Sequence, residues 1–432
     1  MKLLIKGGEV VDPSSNREGN FDVLIENGRV VEVAEPGMFS SISDLQIIDA
    51  KDKWVTPGLI DPHVHLREPG EEWKETIESG TRAAVLGGFT SVCCIPNTKP
   101  VNDDASVTEL ILEKAQQAGF ARVHPMGAVS IGIAGKEMAH LENLAEAGCV
   151  AFTDDGLPVA TAGLMRRALE WCSQLDMPIA CHQEEMSLTP GGVMNESDLS
   201  FRLGLKGMPG AAEDITTARD IELSRLTGGQ VHFLHVSTAR SVTLIRRAKA
   251  DGINVTGEVC PHHLYLTEDS LETYDTNYKM SPPLRSKEDQ AALWEGLIDG
   301  TLDLVASDHA PHHFDSKNVE FENAPMGILG LQTSLPLMLE AVRDNKISRL
   351  RLIQALSTKA SEIYRLGLGT LAKNAIADIT IIDPNFEYEF CRKLNASKSI
   401  NSPFFGMKLK GIASDVIVGG QIVVKDREVV NV

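Results

Sequence analysis

Between residues 56 and 367 the chain alternates two hydrophobic patterns. Short, nearly continuous apolar runs read as strands buried on both faces: Leu59 to His65, Thr90 to Ile95, Arg122 to Val129, Cys149 to Thr153, Pro178 to His182, Val231 to Val236, Ile253 to Cys260 and Leu302 to Ser307. Most are followed by an amphipathic stretch that stops at Gly or Asn, as in Ala105 to Gly119 and Ala239 to Gly252, which predicts a helix with a left-handed end. Eight such units in series predict an α/β fold, a (β/α)8 barrel over residues 56–367, rather than an open sheet.

The two ends of the chain have a different texture. Lys2 to Val11, Phe21 to Glu32 and Leu45 to Ala50 alternate or run apolar in short pieces broken by Gly, Asn and Pro. Ala377 to Ile382, Ala413 to Val418 and Gln421 to Val424 do the same, and Gly419-Gly420 between two β-branched runs is a hairpin signal. Residues 1–55 and 368–432 therefore read as the two parts of one small β domain closed by the termini.

Composition narrows the function classes. A chain of 432 residues suits a large barrel with a smaller unit, and 43% hydrophobic content supplies its core. The net charge of -19 and the lack of any basic stripe argue against nucleic-acid binding and describe an acidic surface. No apolar stretch is long enough to span a membrane, and the segment Met1 to Gly8 is too poor in apolar residues for a signal peptide. The seven cysteines are odd in number and form no C-x-x-C pair, which suits buried thiols in a reducing, cytoplasmic setting better than disulfides or a sulfur-ligated site.

The catalytic residues of such barrels sit at the C-terminal ends of the strands. Here those ends carry His63 and His65, Asn97, Asp154-Asp155, His182, His235, His262-His263 and Asp308-His309. Residues i and i+2 of a strand share a face, so His63 and His65 can both reach one metal ion. Imidazole and carboxylate donors without thiolate suit zinc or a similar divalent ion in a hydrolytic site, where water is activated at neutral pH. Singly, each residue has a plainer reading: His182 and His235 as core imidazoles, Asp155 as a turn residue before Gly156, Asp308 as a helix cap. Their convergence on one barrel mouth is what favours ligation. His124, His140 and His232 read as core or surface imidazoles, and His262 and His263 as support behind the ligands. Glu184-Glu185 reads as a solvated loop edge, and the polar, aperiodic stretch Pro311 to Pro325 as a mobile flap over the site.

The run Asp61-Pro62-His63-Val64-His65-Leu66-Arg67-Glu68-Pro69-Gly70 resembles the signature of the dihydroorotases within the amidohydrolase superfamily. The likeness continues through Ile95-Pro96-Asn97-Thr98, Phe152-Thr153-Asp154-Asp155-Gly156, Cys181-His182, His235-Val236-Ser237, Pro261-His262-His263-Leu264, Pro282-Pro283-Leu284-Arg285 and Ser307-Asp308-His309-Ala310-Pro311-His312, and so covers essentially the whole chain. Asp155, where many relatives carry a carboxylated lysine, is similar to the type I members. The resemblance implies reversible closure of N-carbamoyl-L-aspartate to L-dihydroorotate and water, a step of pyrimidine (UMP) biosynthesis. It implies one or two Zn2+ ions: His63, His65 and Asp308 on one, His182 and His235 on the other, Asp155 shared. Asp308 would also move the proton between water and the departing nitrogen, with His65, Arg67, Asn97, Ser281, His312, Met326 and Gly327 around the substrate. Arg67 supplies a planar, permanently charged fork for its carboxylate. Ser281 stands where the family usually has Asn, Met326 where it has Phe, and Asn374 where Gly is common. Other implied or rival readings are a homodimer, a complex with aspartate transcarbamoylase, another cyclic amidohydrolase of hydantoinase or allantoinase type, and a non-catalytic scaffold for the transcarbamoylase.

Overall fold

The computed structural model describes residues 2–430. Its barrel strands are Leu59–Val64, Phe89–Cys94, Arg122–Gly127, Ala151–Phe152, Ile179–Cys181, Val231–Phe233, Val255–Val259 and Leu304–Val305, one inside or beside each of the eight expected runs. They pair in parallel in chain order. The last strand returns to the first through a parallel bridge between Val64 and His309, where His65 N–H donates to the His309 carbonyl at 2.9 Å. That closure sets His65 beside Asp308.

Local chemistry explains the helices between them. Ala105–Ala118 starts where the Asp104 carboxylate accepts the Ser106 N–H and stops at Gly119, whose φ of 71° is left-handed. Outward side chains of the strands, among them Val92, Phe152 and Phe233, share one buried cluster with Ile111, Leu169 and Ile245 of the helices. Emptying such a site, as in Phe152→Ala, costs about 3–5 kcal/mol. Ile60, Cys93, Met126, Ala180 and Leu304 form a separate inner cluster, closed at the floor by Ala360, Ile363 and Tyr364 of the helix Lys359–Tyr364.

The termini build a second, nine-stranded sheet. Its order is Glu428–Val429, Gln421–Lys425, Lys408–Val418, Ile379–Glu389, Trp54–Pro57, Lys2–Asp12, Arg17–Glu26 and Arg29–Ala34, with Gln46–Asp49 also beside Lys2–Asp12. The two ends of the chain join where Trp54–Pro57 runs antiparallel to Ile379–Ile382. The single apolar run Phe21 to Glu32 is split into two strands at Asn27-Gly28, whose φ values of 50° and 76° make the two-residue turn that matches strand twist. Gly419-Gly420 turns the C-terminal hairpin in the same way, and Asn374 is left-handed at φ 68°. Between Glu389 and Lys408 the chain leaves this sheet and lies against the barrel mouth.

The stretch Pro311 to Pro325 is fastened, contrary to the flap expected from its polarity. The buried Lys317 ammonium donates to the carbonyls of Pro325 (2.9 Å) and Gly327 (3.2 Å), and Lys279 donates to those of Phe321 (2.7 Å) and Glu322 (2.9 Å). Lysine-to-carbonyl anchoring leaves no periodic mark in a sequence. Cys391 is half-buried, the other six cysteines are buried, and none is paired. Among the described residues no helix is long and apolar enough to cross a membrane.

Candidate active site

The predicted ligands come together. His63 and His65 end the first barrel strand, Asp155 follows the fourth, His182 the fifth, His235 the sixth and Asp308 the eighth. Two groups, His63–Asp155–His235 and His63–His65–Asp308, each bring one donor atom per residue within 4.8 Å of the others, all buried. His235 and Asp308 hold left-handed backbone (φ 31° and 44°), an unusual conformation for residues with side chains and one that turns both toward the centre.

The nitrogens are sorted by what lies behind them. His63 Nδ1–H donates to Glu258 Oε1 at 2.7 Å, and His65 Nδ1–H to the Asn97 side-chain oxygen at 3.0 Å. His182 Nε2–H donates to Glu184 Oε2 at 3.0 Å. In the neutral imidazoles the opposite nitrogens then present lone pairs, and these face carboxylates. His63 Nε2 faces Asp155 and Asp308 at 3.4 Å each, His65 Nε2 faces Asp308 at 3.1 Å, and His182 Nδ1 faces Asp155 at 3.4 Å. His182 Nδ1 also lies 3.0 Å from His235 Nε2. His63 Nε2 has no hydrogen-bond partner among the described residues despite full burial. Lone pairs converging on carboxylates need positive charge between them, and this donor set fits one or two divalent cations.

Electrostatics agree. Burial opposes a charged imidazole at His63, yet Asp308, Asp155 and Glu258 outweigh it and hold its pKa well above the ordinary value. The same contest, won by Asp155 and Glu184, lifts His182 to about 10. Against their own burial, Asp155 and Asp308 are drawn below the usual carboxylate range, chiefly by His63. The pocket is built to hold positive charge.

A cavity of about 380 Å³ opens over this centre, lined in part by His65, Arg67, Asn97, Ser281, His312 and Met326. Arg67 is buried, with Nε donating to the Pro311 carbonyl at 3.2 Å, and its guanidinium forms no ion pair among the described residues. His312 donates from Nε2 to the Met326 carbonyl at 2.8 Å. Gly327 lies behind Met326, and its N–H donates to the Lys279 carbonyl at 2.9 Å. A side chain there would sit 2.6 Å from the Ala310 oxygen and 2.7 Å from the His312 ring.

Several supporting residues escape a reading of strand ends. Glu184, expected at a solvated edge, is largely buried and orients His182. Glu258 is fully buried and bonds His63, His232 Nε2 (3.2 Å) and His235 N–H (3.2 Å). Asp61 accepts from His63 N–H and Ser307 N–H, and Glu75 faces His309 Nε2 at 3.3 Å. Asp61, His63 and His65 share an i, i+2 spacing, a signal that could have added Asp61. His263 Nε2–H donates to the Pro282 carbonyl at 2.9 Å, supporting the loop that carries Ser281.

Comparison with known proteins agrees with this geometry. A family model described as "Dihydro-orotase-like" matches residues 52–241. A protein named dihydroorotase from Anaeromyxobacter dehalogenans (strain 2CP-C) is 49% identical over 423 residues, covering 98% of this chain and 97% of that protein. One of the same name from Trichlorobacter lovleyi is 49% identical over 427 residues, covering 99% and 100%. Among solved structures, an L-hydantoinase (dihydropyrimidinase) from Arthrobacter aurescens shares the fold with a TM-score of 0.89 at 24% identity, covering 99% of this chain and 97% of that one. A D-hydantoinase from a Bacillus sp. AR9 gives a TM-score of 0.84 at 30% identity, covering 99% and 96%.

Proposed function

As the chain belongs to the dihydroorotase family, we propose that it interconverts N-carbamoyl-L-aspartate and L-dihydroorotate as a metal-dependent cyclic amidohydrolase of pyrimidine synthesis. One observation carries the substrate assignment: Arg67 is a buried guanidinium, with no carboxylate in ion-pair contact among the described residues, in the wall of the cavity over the ligand cluster. A buried charge is costly unless something pairs with it, and the α-carboxylate of dihydroorotate is the natural partner. Hydantoin and allantoin carry no such carboxylate, so likeness of fold to hydantoinases does not extend to substrate choice.

His63, His65 and Asp308 would hold one Zn2+, His182 and His235 a second, with Asp155 shared. A divalent ion bound there lowers the pKa of water and polarises the ring amide carbonyl. The protein's own groups do the rest. Arg67, Asn97, Ser281 and His312 bind the substrate and orient its ring, while Met326 walls the cavity with Gly327 behind it. In ring opening, Asp308 accepts a proton from the attacking water as its oxygen bonds to the amide carbon. As the carbon–nitrogen bond breaks, Asp308 returns that proton to the nitrogen, which leaves as the ureido group, while the new carboxylic acid gives the second water proton to solvent and becomes a carboxylate. Ring closure runs the same steps backward and releases water. Glu258, Asn97 and Glu184 hold the imidazoles in the tautomers this requires.

The reading extends to a cytoplasmic homodimer, free or in complex with aspartate transcarbamoylase, the source of the substrate; unpaired cysteines suit a reducing compartment. The test is ring opening of dihydroorotate by the purified chain reconstituted with zinc. Turnover is expected, lost in Asp308→Ala. Activity on hydantoin or allantoin but not dihydroorotate, with metal bound and transcarbamoylase added, refutes the assignment.

A further inference from the structure

The segment Asn395 to Ser402, between two long strands of the terminal sheet, is polar and yet half of it is buried: Ser397, Ser399, Asn401 and Ser402 are all under 9% exposed. It is fixed at its flanks by Phe390 and Phe404, which pack with Met280 and Ile328, the neighbours in sequence of Ser281 and Gly327. Within it, Asn401 is 2% exposed and uses both faces of its amide. Its Nδ2 donates to the carbonyls of Ala310 (2.9 Å) and Gly327 (3.0 Å), and its Oδ1 accepts the His312 N–H (3.0 Å). Its own carbonyl accepts the Leu329 N–H at 3.0 Å.

These contacts tie together the two stretches that face Arg67. Ala310–His312 carries the carbonyl of Pro311 that Arg67 holds, and Met326 carries the carbonyl that the His312 ring holds. We propose that Asn401 is a positioning residue for the substrate-carboxylate subsite, setting the separation of these two stretches and hence the aim of Arg67 and His312. It is not itself one of the ligand cluster or the cavity lining and acts through Ala310 and His312, which do line the cavity, so its effect is on binding rather than on the chemical step. Only a carboxamide can donate twice and accept once here; a carboxylate would face two carbonyl oxygens. The other arm of the segment serves a different part. The Ser397 hydroxyl and Lys398 N–H bind Glu75, which faces His309, and the Ser399 hydroxyl donates to the Lys74 carbonyl at 2.6 Å.

The inference rests on the dihydroorotase reading, and the experiment separates the two. Asn401→Asp, Asn401→Ala and Ser397→Ala are compared with the unaltered chain by steady-state kinetics on dihydroorotate, with metal content and melting temperature measured on each. Both Asn401 variants are expected to raise KM about tenfold, with kcat within threefold and metal content unchanged, as befits one or two lost hydrogen bonds. Ser397→Ala should leave KM within twofold. Should Asn401→Asp fail to fold, Asn401→Ala decides. An unchanged KM in a folded Asn401 variant, or kcat and metal content falling together with binding, overturns the proposal while leaving the function intact. An unaltered chain that binds metal but does not turn over dihydroorotate removes the functional reading, and the carboxylate subsite with it.

Discussion

Replacing Glu258 by Gln tests whether the carboxylate behind the ligands sets their metal affinity. Glu258 is fully buried, and its three hydrogen bonds all come from donors: His63 Nδ1–H, His232 Nε2–H and the backbone N–H of His235. Against the cost of burial, His63 and His232 hold its pKa down to about 2, so it is charged wherever the protein is folded and active. Gln keeps the shape but has one acceptor oxygen and one NH2 group, so the NH2 must face a former donor. Turned toward His63, it would take Nδ1 as an acceptor and leave the proton on Nε2, the nitrogen that faces Asp155 and Asp308. Turned toward His232, it needs only a tautomer change there, since His232 Nδ1 meets the Thr256 hydroxyl at 2.8 Å and a hydroxyl can donate or accept. The second route is cheaper, but the negative charge is lost in either. The expected result is a fall in metal affinity of about 10- to 100-fold, roughly 1.4–2.7 kcal/mol. Competition with a chromogenic chelator reads it directly, and excess metal should restore most of kcat. A folded Glu258→Gln protein that binds metal within twofold of the unaltered chain refutes the reasoning.

Three further outcomes follow from the same geometry. Arg67→Met should raise KM for dihydroorotate about 10- to 100-fold, the worth of a charged hydrogen bond. It should not lower the melting temperature, because an unpaired buried charge is removed; a KM within twofold would count against the carboxylate role. Gly327→Ala puts a methyl 2.6 Å from the Ala310 oxygen and 2.7 Å from the His312 ring, so calorimetry should show a loss of about 1–3 kcal/mol together with a raised KM. Burial pushes His263 down to about 4 from the usual 6.5, so between these values the unfolded chain binds a proton that the folded one does not. Stability gained from that residue is thus full above pH 6.5 and falls as the pH drops toward 4, by about 3 kcal/mol. His263→Gln should flatten that part of a denaturant-midpoint profile, and an unaltered slope would show the group is not neutral in the fold.

What could be read from the chain, and what could not, divides by range. All eight barrel strands and the candidate ligands at their ends are legible, because period and strand-end position are local properties that a parallel barrel turns into one shared mouth. The Asn27-Gly28 turn was hidden inside an apolar run, since its signal is two residues wide. Glu184 and Glu258 look like any acidic residue in sequence; their meaning comes from a histidine that only the fold brings to them. The fastened stretch after Pro311 and the buried segment around Asn401 are the same case carried further. Both are polar and aperiodic, which resembles a solvated loop, yet both are held by side chains that bind backbone carbonyls far away in the chain. Such anchors fit many sequences and depend on one geometry. The candidate metal ligands are therefore the most legible part of this site, and the frame that holds Arg67 and His312 in the cavity wall is the least.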